Sequence, residues 1–261
     1  MMDKKGIFHL LDKKISSQSL PTKREKKTLF IHIDKRKKFV IGVAFLSLIL
    51  FITELQFGKS GFLIAAFLSL LTNLFLYWAI RYDLKDNFSF NLFILPFFYS
   101  LAFALFYFLI PARLLFRLAL TSFYAFGLYS LFLSQNIFTV SAIRTIALLS
   151  GARIVSFVLT LLSIFFLTNI VYTLHLHILP TIFLIALYSY PLVYQSLWTY
   201  VLQKTEYPLI LWSGVITLCL IEVASALWFW PTSPTVIALF VTGFFLYSCR
   251  SFSCVAREEA F

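Results

Sequence analysis

The sequence has few charged residues. Of 261 residues, 13% are charged and only 11 are acidic, whereas 61% are hydrophobic and 19% are aromatic. A soluble domain has about 25% charged and about 45–50% apolar residues, and it needs polar groups on its surface. This composition therefore argues against a soluble fold. A lipid bilayer removes that requirement, because lipid can surround apolar side chains on the outside of a helix bundle.

Glycine and cysteine are also scarce. The chain has 8 Gly residues and no Gly-x-x-x-Gly motif, so close helix packing through small residues is not its main device. The cysteines are Cys219, Cys249 and Cys254. Their number is odd and none falls in a predicted outer loop, so we interpret them as reduced apolar or interfacial residues.

Recognised catalytic motifs are missing as well. The sequence contains no Gly-rich phosphate loop, His-Glu-x-x-His helix, Gly-x-Ser-x-Gly elbow or carboxylate dyad. His175 and His177 could share a metal ion in an extended loop, but no Asp, Glu or Cys lies nearby to complete a ligand set. The sequence therefore assigns no catalytic residue, no metal and no cofactor.

Long hydrophobic runs dominate the rest of the chain. A spanning helix needs about 20 mostly apolar residues, and the runs are too long for strands that alternate with period two. The sequence therefore predicts an all-α polytopic transmembrane bundle over residues 39–249, with about eight spans. The predicted spans are 39–55, 61–80, 90–110, 114–134, 155–174, 178–198, 208–230 and 235–249.

Polar residues interrupt the stretch 135–154. Ser141, Arg144 and Thr145 follow a spacing of three and four residues and share one helical face. An apolar helix with one polar face is typical of the membrane interface. We therefore predict an interfacial helix over 135–154 that runs into the fifth span.

Positive charge is concentrated at the amino end. Residues 1–38 hold 12 of the 22 Lys and Arg residues, and cytoplasmic segments of membrane proteins are enriched in these residues. With the amino end inside, cytoplasmic segments hold 19 of the 22. The pattern predicts a basic cytoplasmic tail over 1–38 and a short cytoplasmic carboxyl end over 250–261. We expect the tail to contact anionic lipid headgroups rather than nucleic acid.

Glu222 is the leading candidate site residue, because it lies well inside the seventh predicted span. A charge at that depth costs about 2.5–3.5 kcal/mol, and such residues usually face the bundle interior. Glu222 is either a proton- or ion-coupling carboxylate or a structural group that ties helices together, for example by pairing with Arg117.

Five other polar residues are candidates for contacts within or beside the membrane. Arg117 lies one turn inside the fourth span, and it reaches the outer boundary, pairs with Glu222 or binds a lipid phosphate. Asn73 and Gln195 are polar residues within spans that could hydrogen-bond between helices. Arg113 and Arg144 are expected to contact lipid headgroups.

Three stretches of the chain carry a family resemblance: FIHIDKRKK at 30–38, LIPAR at 109–113, and QNIF with AIRTI within 135–146. They resemble a family of polytopic membrane proteins, of unassigned activity, from uncultivated small-genome bacteria. The resemblance covers most of the chain from about residue 28. It implies a bacterial cytoplasmic membrane and transfers no functional residue.

Three function classes remain open from the sequence. The first is a small-molecule or lipid transporter, in which Glu222 and the spans kinked at Pro96 and Pro191 form a path. The second is a non-catalytic membrane scaffold or assembly partner. The third is a membrane-embedded enzyme acting on lipid-linked substrates. The sequence favours the two non-enzymatic classes, because it contains no set of acid and base residues.

Overall fold

The backbone of the described chain is helical throughout its regular structure. A computed structural model describes residues 37–52, 61–80, 90–109, 114–141, 148–201 and 206–258, and every regular element in these ranges is a helix. This confirms the predicted all-α class. Most of the basic tail, the connections 53–60, 81–89, 110–113, 142–147 and 202–205, and the last three residues lie outside the described part.

Eight helices follow one another along these ranges, with short connections. They are α1 over 37–52, α2 (Gly61–Ile80), α3 (Asn91–Leu109), α4 (Leu114–Ser141), α5 (Leu149–Thr173), α6 (Ile178–Val201), α7 (Glu206–Trp228) and α8 (Pro234–Glu258).

Seven of these helices, α2 to α8, are long and apolar enough to cross a membrane. A rise of 1.5 Å per residue lets about 20 residues cover the roughly 30 Å hydrocarbon core. The chain is therefore a multi-pass membrane protein. Helix α1 comprises 16 described residues, and the sequence that follows it lies outside the described part.

Successive helices run in alternating directions. At one end of the bundle, the Lys38 ammonium lies 5.6 Å from the centre of the Trp78 ring, so α1 begins where α2 ends. At the opposite end, the Asn169 side chain donates a hydrogen bond to Thr235 at 3.1 Å, so α5 ends where α8 begins. We call these the tail end and the far end of the bundle.

Helices α3 and α5 form the centre of the bundle. In the 18-residue hydrophobic core stretches of α3 and α5, 56% and 61% of the residues are buried, against 22% in the corresponding stretch of α4. They pack against one another through Phe103 and Phe166, whose ring centres are 4.9 Å apart. Helix α4 contacts both of them on one side, while α6 contacts both and also carries α7 and α8. Helix α1 packs on α2 and α4.

The region predicted as one interfacial helix is divided between two long helices. Residues 135–141 continue α4, and residues 149–154 form the first turns of α5. Residues 142–147, including Arg144, lie outside the described part. Thr139, one of the polar residues that interrupt this stretch, is buried inside the bundle, and so is Gln135 at its start. The side chains of Ser141 and Thr145 also lie outside the described part. Burial against neighbouring helices, which sequence periodicity does not report, accounts for the difference.

Candidate functional site

Glu222 faces outward from α7. Its side chain is exposed, and its carboxylate oxygens make no hydrogen bond or ion pair with any described residue. With 100° per residue, it lies on the face of α7 opposite the buried Leu209, Ile216 and Leu220. The expectation that this carboxylate faces the bundle interior is therefore wrong, and it is not paired with Arg117. Leucine, isoleucine and valine occupy both faces of α7, so the sequence alone does not indicate which face is buried.

Glu222 nevertheless lies within the span. It is six residues before Trp228, where α7 ends, which is about 9 Å along the helix. Beyond it, Trp228 and Trp230 mark the far end, in keeping with the preference of Trp for the water–lipid boundary. A short carboxylate side chain at this depth contacts lipid hydrocarbon or another protein surface.

Arg117 and Asn73 lie on separate helices and are both half-buried. Arg117 lies on the first turn of α4. In Asn73, on α2, the buried Oδ1 atom has no hydrogen-bond donor among the described residues. Arg113 lies outside the described residues. Neither Arg117 nor Asn73 makes a hydrogen bond or ion pair with Glu222.

Gln195 is fully buried in α6, six residues before Val201. Neither its amide nitrogen nor its carbonyl oxygen has a hydrogen-bond partner within the described chain. An unsatisfied buried group of this kind costs about 1–3 kcal/mol, and more than nine in ten buried polar groups in proteins are satisfied. Gln195 is thus the sequence-predicted residue whose environment is most unusual.

Gln135 repeats this pattern on α4. It is fully buried and both atoms of its amide group lack a partner among described residues. It is not among the residues that the sequence singles out, because residue 135 falls in the predicted interfacial helix. A signal was present: Tyr124, Leu128 and Leu131 follow a four- and three-residue spacing that reaches Gln135 next, and all four side chains are fully buried.

Two further side chains near the tail end have buried polar atoms without a partner among the described residues. They are Asn136, through its Oδ1, and Arg153 of α5, through its Nε. An added Cβ on Gly127 of α4 would contact Leu159 of α5 at 3.4 Å. Because these helices are antiparallel, moving eight residues along α4 from Gly127 to Gln135 reaches the depth of the first turns of α5, which contain Arg153. We call Gln135, Asn136, Arg153 and Gln195 the tail-side polar group.

A contrasting polar chain crosses the middle of the bundle and is fully satisfied. Ser100 lies 3.1 Å from the Tyr124 hydroxyl and donates to Thr72 at 3.0 Å, and Thr72 donates to the Leu68 carbonyl at 2.9 Å. Each hydroxyl has one hydrogen, so Tyr124 donates to Ser100. This chain joins α2, α3 and α4 and leaves no polar atom free for a solute.

Cavities open at the surface of the described bundle, and two of them lie toward opposite ends. A groove of about 430 Å³ between α1 and α2 is lined by apolar and aromatic side chains, among them Phe45, Leu74 and Trp78. A second cavity of about 300 Å³ at the far end is lined by residues that include Tyr172 and His175. Glu222 lines neither of them. Among the described residues, no group of three or more His, Cys, Asp or Glu side chains could hold a metal ion.

Comparison of the chain with protein-family models, with curated proteins and with solved structures finds no match. Its class is therefore defined by its own geometry, as a multi-pass helical membrane protein with unsatisfied amides at its tail end and an outward carboxylate on α7.

Proposed function

We propose that this membrane protein is a transporter for a small polar solute, and that the tail-side polar group lines part of its route. The observation that supports the proposal is the full burial of Gln135 and Gln195, with four amide atoms that have no partner in the described chain. An amide group both donates and accepts hydrogen bonds. A passing polar solute and its water can supply the partners that the protein does not.

The energetic cost of Gln135 and Gln195 favours a functional role for them over a role in packing. Leucine in place of a buried, unsatisfied glutamine would remove a cost of about 1–3 kcal/mol per polar group. A bundle selected for stability alone would not keep two such residues on separate helices. Residues that reduce stability in this way concentrate at functional sites.

Two helices contain proline residues at which they can bend. Pro96 lies inside α3 and Pro191 inside α6, and these two helices pack against each other. Proline removes one backbone hydrogen bond and weakens the helix at that turn. Gln195 follows Pro191 by four residues, on the same face, so bending at Pro191 would move its amide. Broken or bent helices carry the solute sites of many secondary transporters.

Arg153 favours a solute that carries negative charge. It is half-buried in the first turns of α5, and its Nε atom has no hydrogen-bond partner among the described residues. An arginine beside amide donors is suited to a carboxylate or phosphate group. We therefore place small organic anions and phosphate compounds first among the candidate solutes.

A second candidate function is assembly with other membrane proteins. The outward carboxylate of Glu222 favours it, because lipid hydrocarbon offers no partner for that group. Assembly and transport are compatible, since Glu222 and the tail-side polar group belong to different helices.

The test is solute uptake into liposomes that contain the purified full-length protein. The probes are radiolabelled phosphate, small carboxylic acids and neutral amino acids. We expect uptake of at least one probe by the wild type, and at least a tenfold loss in Gln195→Leu and in Gln135→Leu. Thermal midpoints of both variants should equal or exceed that of the wild type, because an unsatisfied group has been removed.

The matched control is Thr199→Val. Thr199 is also a buried polar residue of α6, but its hydroxyl donates to the Ser196 carbonyl of its own helix at 2.7 Å. This variant should keep wild-type uptake. Unchanged uptake in both glutamine variants would refute the proposal, as would the absence of protein-dependent uptake for every probe.

A further inference from the structure

The outward face of α7 forms a continuous stripe through the membrane. Leu211, Val215 and Leu218 are 72%, 54% and 57% exposed, and they follow a spacing of four and three residues. Glu222 is the next position in the same spacing and is also exposed. Side chains at this heptad spacing form the seam between two packed helices.

The residues beside the stripe are small enough to let another helix approach α7 closely. An added Cβ atom on Gly214 would meet no atom within 4 Å, so the bundle leaves space there. Ser225 and Ala226 follow Glu222 on the same side of the helix, and the Ser225 hydroxyl is turned back onto the Glu222 backbone carbonyl at 2.8 Å. Small residues let the backbones of two transmembrane helices come close together.

Glu222 is the only acidic residue among the side chains that the structure describes. In hydrocarbon it needs a hydrogen-bonding partner, and no described residue of the same chain supplies one. A carboxyl group that carries its proton has both a donor and an acceptor. Two such groups therefore satisfy each other, which makes this chemistry self-complementary.

Membrane insertion supplies the geometry for such a pair. Two copies inserted in the same orientation are related by a two-fold axis along the membrane normal, so each residue near the axis meets its counterpart at equal depth. The α7 helices then run parallel, and Glu222 of one copy lies opposite Glu222 of the other. We propose that the chain forms a homodimer through the stripe Leu211–Val215–Leu218–Glu222, with the two Glu222 side chains hydrogen-bonded to each other.

The first experiment measures self-association of the full chain in vesicles of phosphatidylethanolamine and phosphatidylglycerol. Förster transfer between labelled copies is followed as protein is diluted with lipid. We expect a dimer for the wild type, a dissociation constant raised about tenfold in Glu222→Leu, and a retained dimer in Glu222→Gln, whose amide also donates and accepts. The control Leu239→Ala changes an exposed residue of α8 and should not alter association.

The second experiment exchanges charge across the interface. Glu222→Lys should not pair with itself, because two ammonium groups would meet in hydrocarbon. Mixed with the wild type, it should form heterodimers by pairing its lysine with the carboxylate. This result requires that residue 222 of one copy faces residue 222 of the other.

Several outcomes would overturn the homodimer. They are a wild type that stays monomeric at every protein density, a Glu222→Leu variant that associates as tightly as the wild type, and Glu222→Lys copies that pair with themselves. Association only with a different protein carrying a basic residue would also overturn it. Because no described residue of its own chain pairs with the Glu222 carboxylate, we expect Glu222→Leu to fold and keep its thermal midpoint.

Discussion

Buried polar side chains in this bundle differ in whether their own helix can satisfy them. Serine and threonine hydroxyls reach back to a carbonyl one turn earlier, as Thr160 does to Ser156 at 2.9 Å and Thr217 to Ser213 at 2.7 Å. The longer amides of Gln135 and Gln195 make no such bond. A glutamine in the core therefore requires a partner from outside its helix, which is why these residues carry the functional proposal.

A close contact between α3 and α4 requires glycine at position 127. The Tyr99 hydroxyl donates to the Tyr124 backbone carbonyl at 3.3 Å, and a Cβ atom on Gly127 would overlap that hydroxyl. We predict that Gly127→Ala lowers stability by about 1–3 kcal/mol, the range typical of overpacking in a core. Thermal unfolding in detergent measures it.

Removing the hydroxyl provides the internal check on this prediction. Tyr99→Phe in the Gly127→Ala background should recover part of the lost stability, because the overlapping atom is absent. Gly243→Ala serves as the control, since a Cβ atom there meets nothing within 4 Å and alanine favours a helix by up to about 1 kcal/mol. Equal effects of the two glycine substitutions would contradict the packing argument.

At the scale of elements, α5 holds the far end together. Thr168 lies 2.7 Å from the Tyr188 hydroxyl of α6, and the neighbouring Asn169 donates to Thr235 of α8 at 3.1 Å. Tyr172, one turn later, donates to the Ala224 carbonyl of α7 at 2.7 Å. One helical turn of α5 thus reaches three neighbouring helices. This explains why a central helix carries polar residues in a region that is otherwise apolar.

A double-mutant cycle tests the contact between α5 and α8. Thr235→Val leaves the Asn169 amide without its partner and should cost about 1 kcal/mol. Combined with Asn169→Leu, the second substitution should cost little more, because no polar group is then stranded. Additive losses in thermal stability would show that the two residues do not interact.

At the scale of the whole molecule, the alternating helices place the ends of the chain relative to the membrane. Lys38 and Trp78 meet at the tail end, which the excess of Lys and Arg in residues 1–38 predicts to be cytoplasmic. The contact of this tail with anionic lipid stays a prediction. So does the bacterial cytoplasmic membrane as the location.

Orientation can be measured by cysteine labelling. In a variant without Cys219, Cys249 and Cys254, a membrane-impermeant maleimide applied from outside intact cells should label Ser60→Cys and leave Ser17→Cys unlabelled. Both should react once the cells are opened. Labelling of Ser17→Cys in intact cells would reverse the orientation, while leaving the helical architecture as it is.

The sequence by itself determined the class of this protein, its helices and the approximate position of each. Runs of apolar residues identify spans because hydrocarbon requires every backbone group to be bonded within its own helix. The extended α4 and the early start of α5 escaped prediction, because Gln135 and Arg153 were expected at an interface.

Only the tertiary structure decided which way each polar side chain points. Helix α7 is apolar on every side, so its residue pattern does not indicate which way Glu222 faces. Its packing against α6 and α8 turns Glu222 outward. The same holds for Gln135 and Gln195, whose lack of partners depends on atoms of other helices. The direction in which a side chain points within a membrane bundle depends on which helices pack around it, and a single sequence does not specify those neighbouring helices.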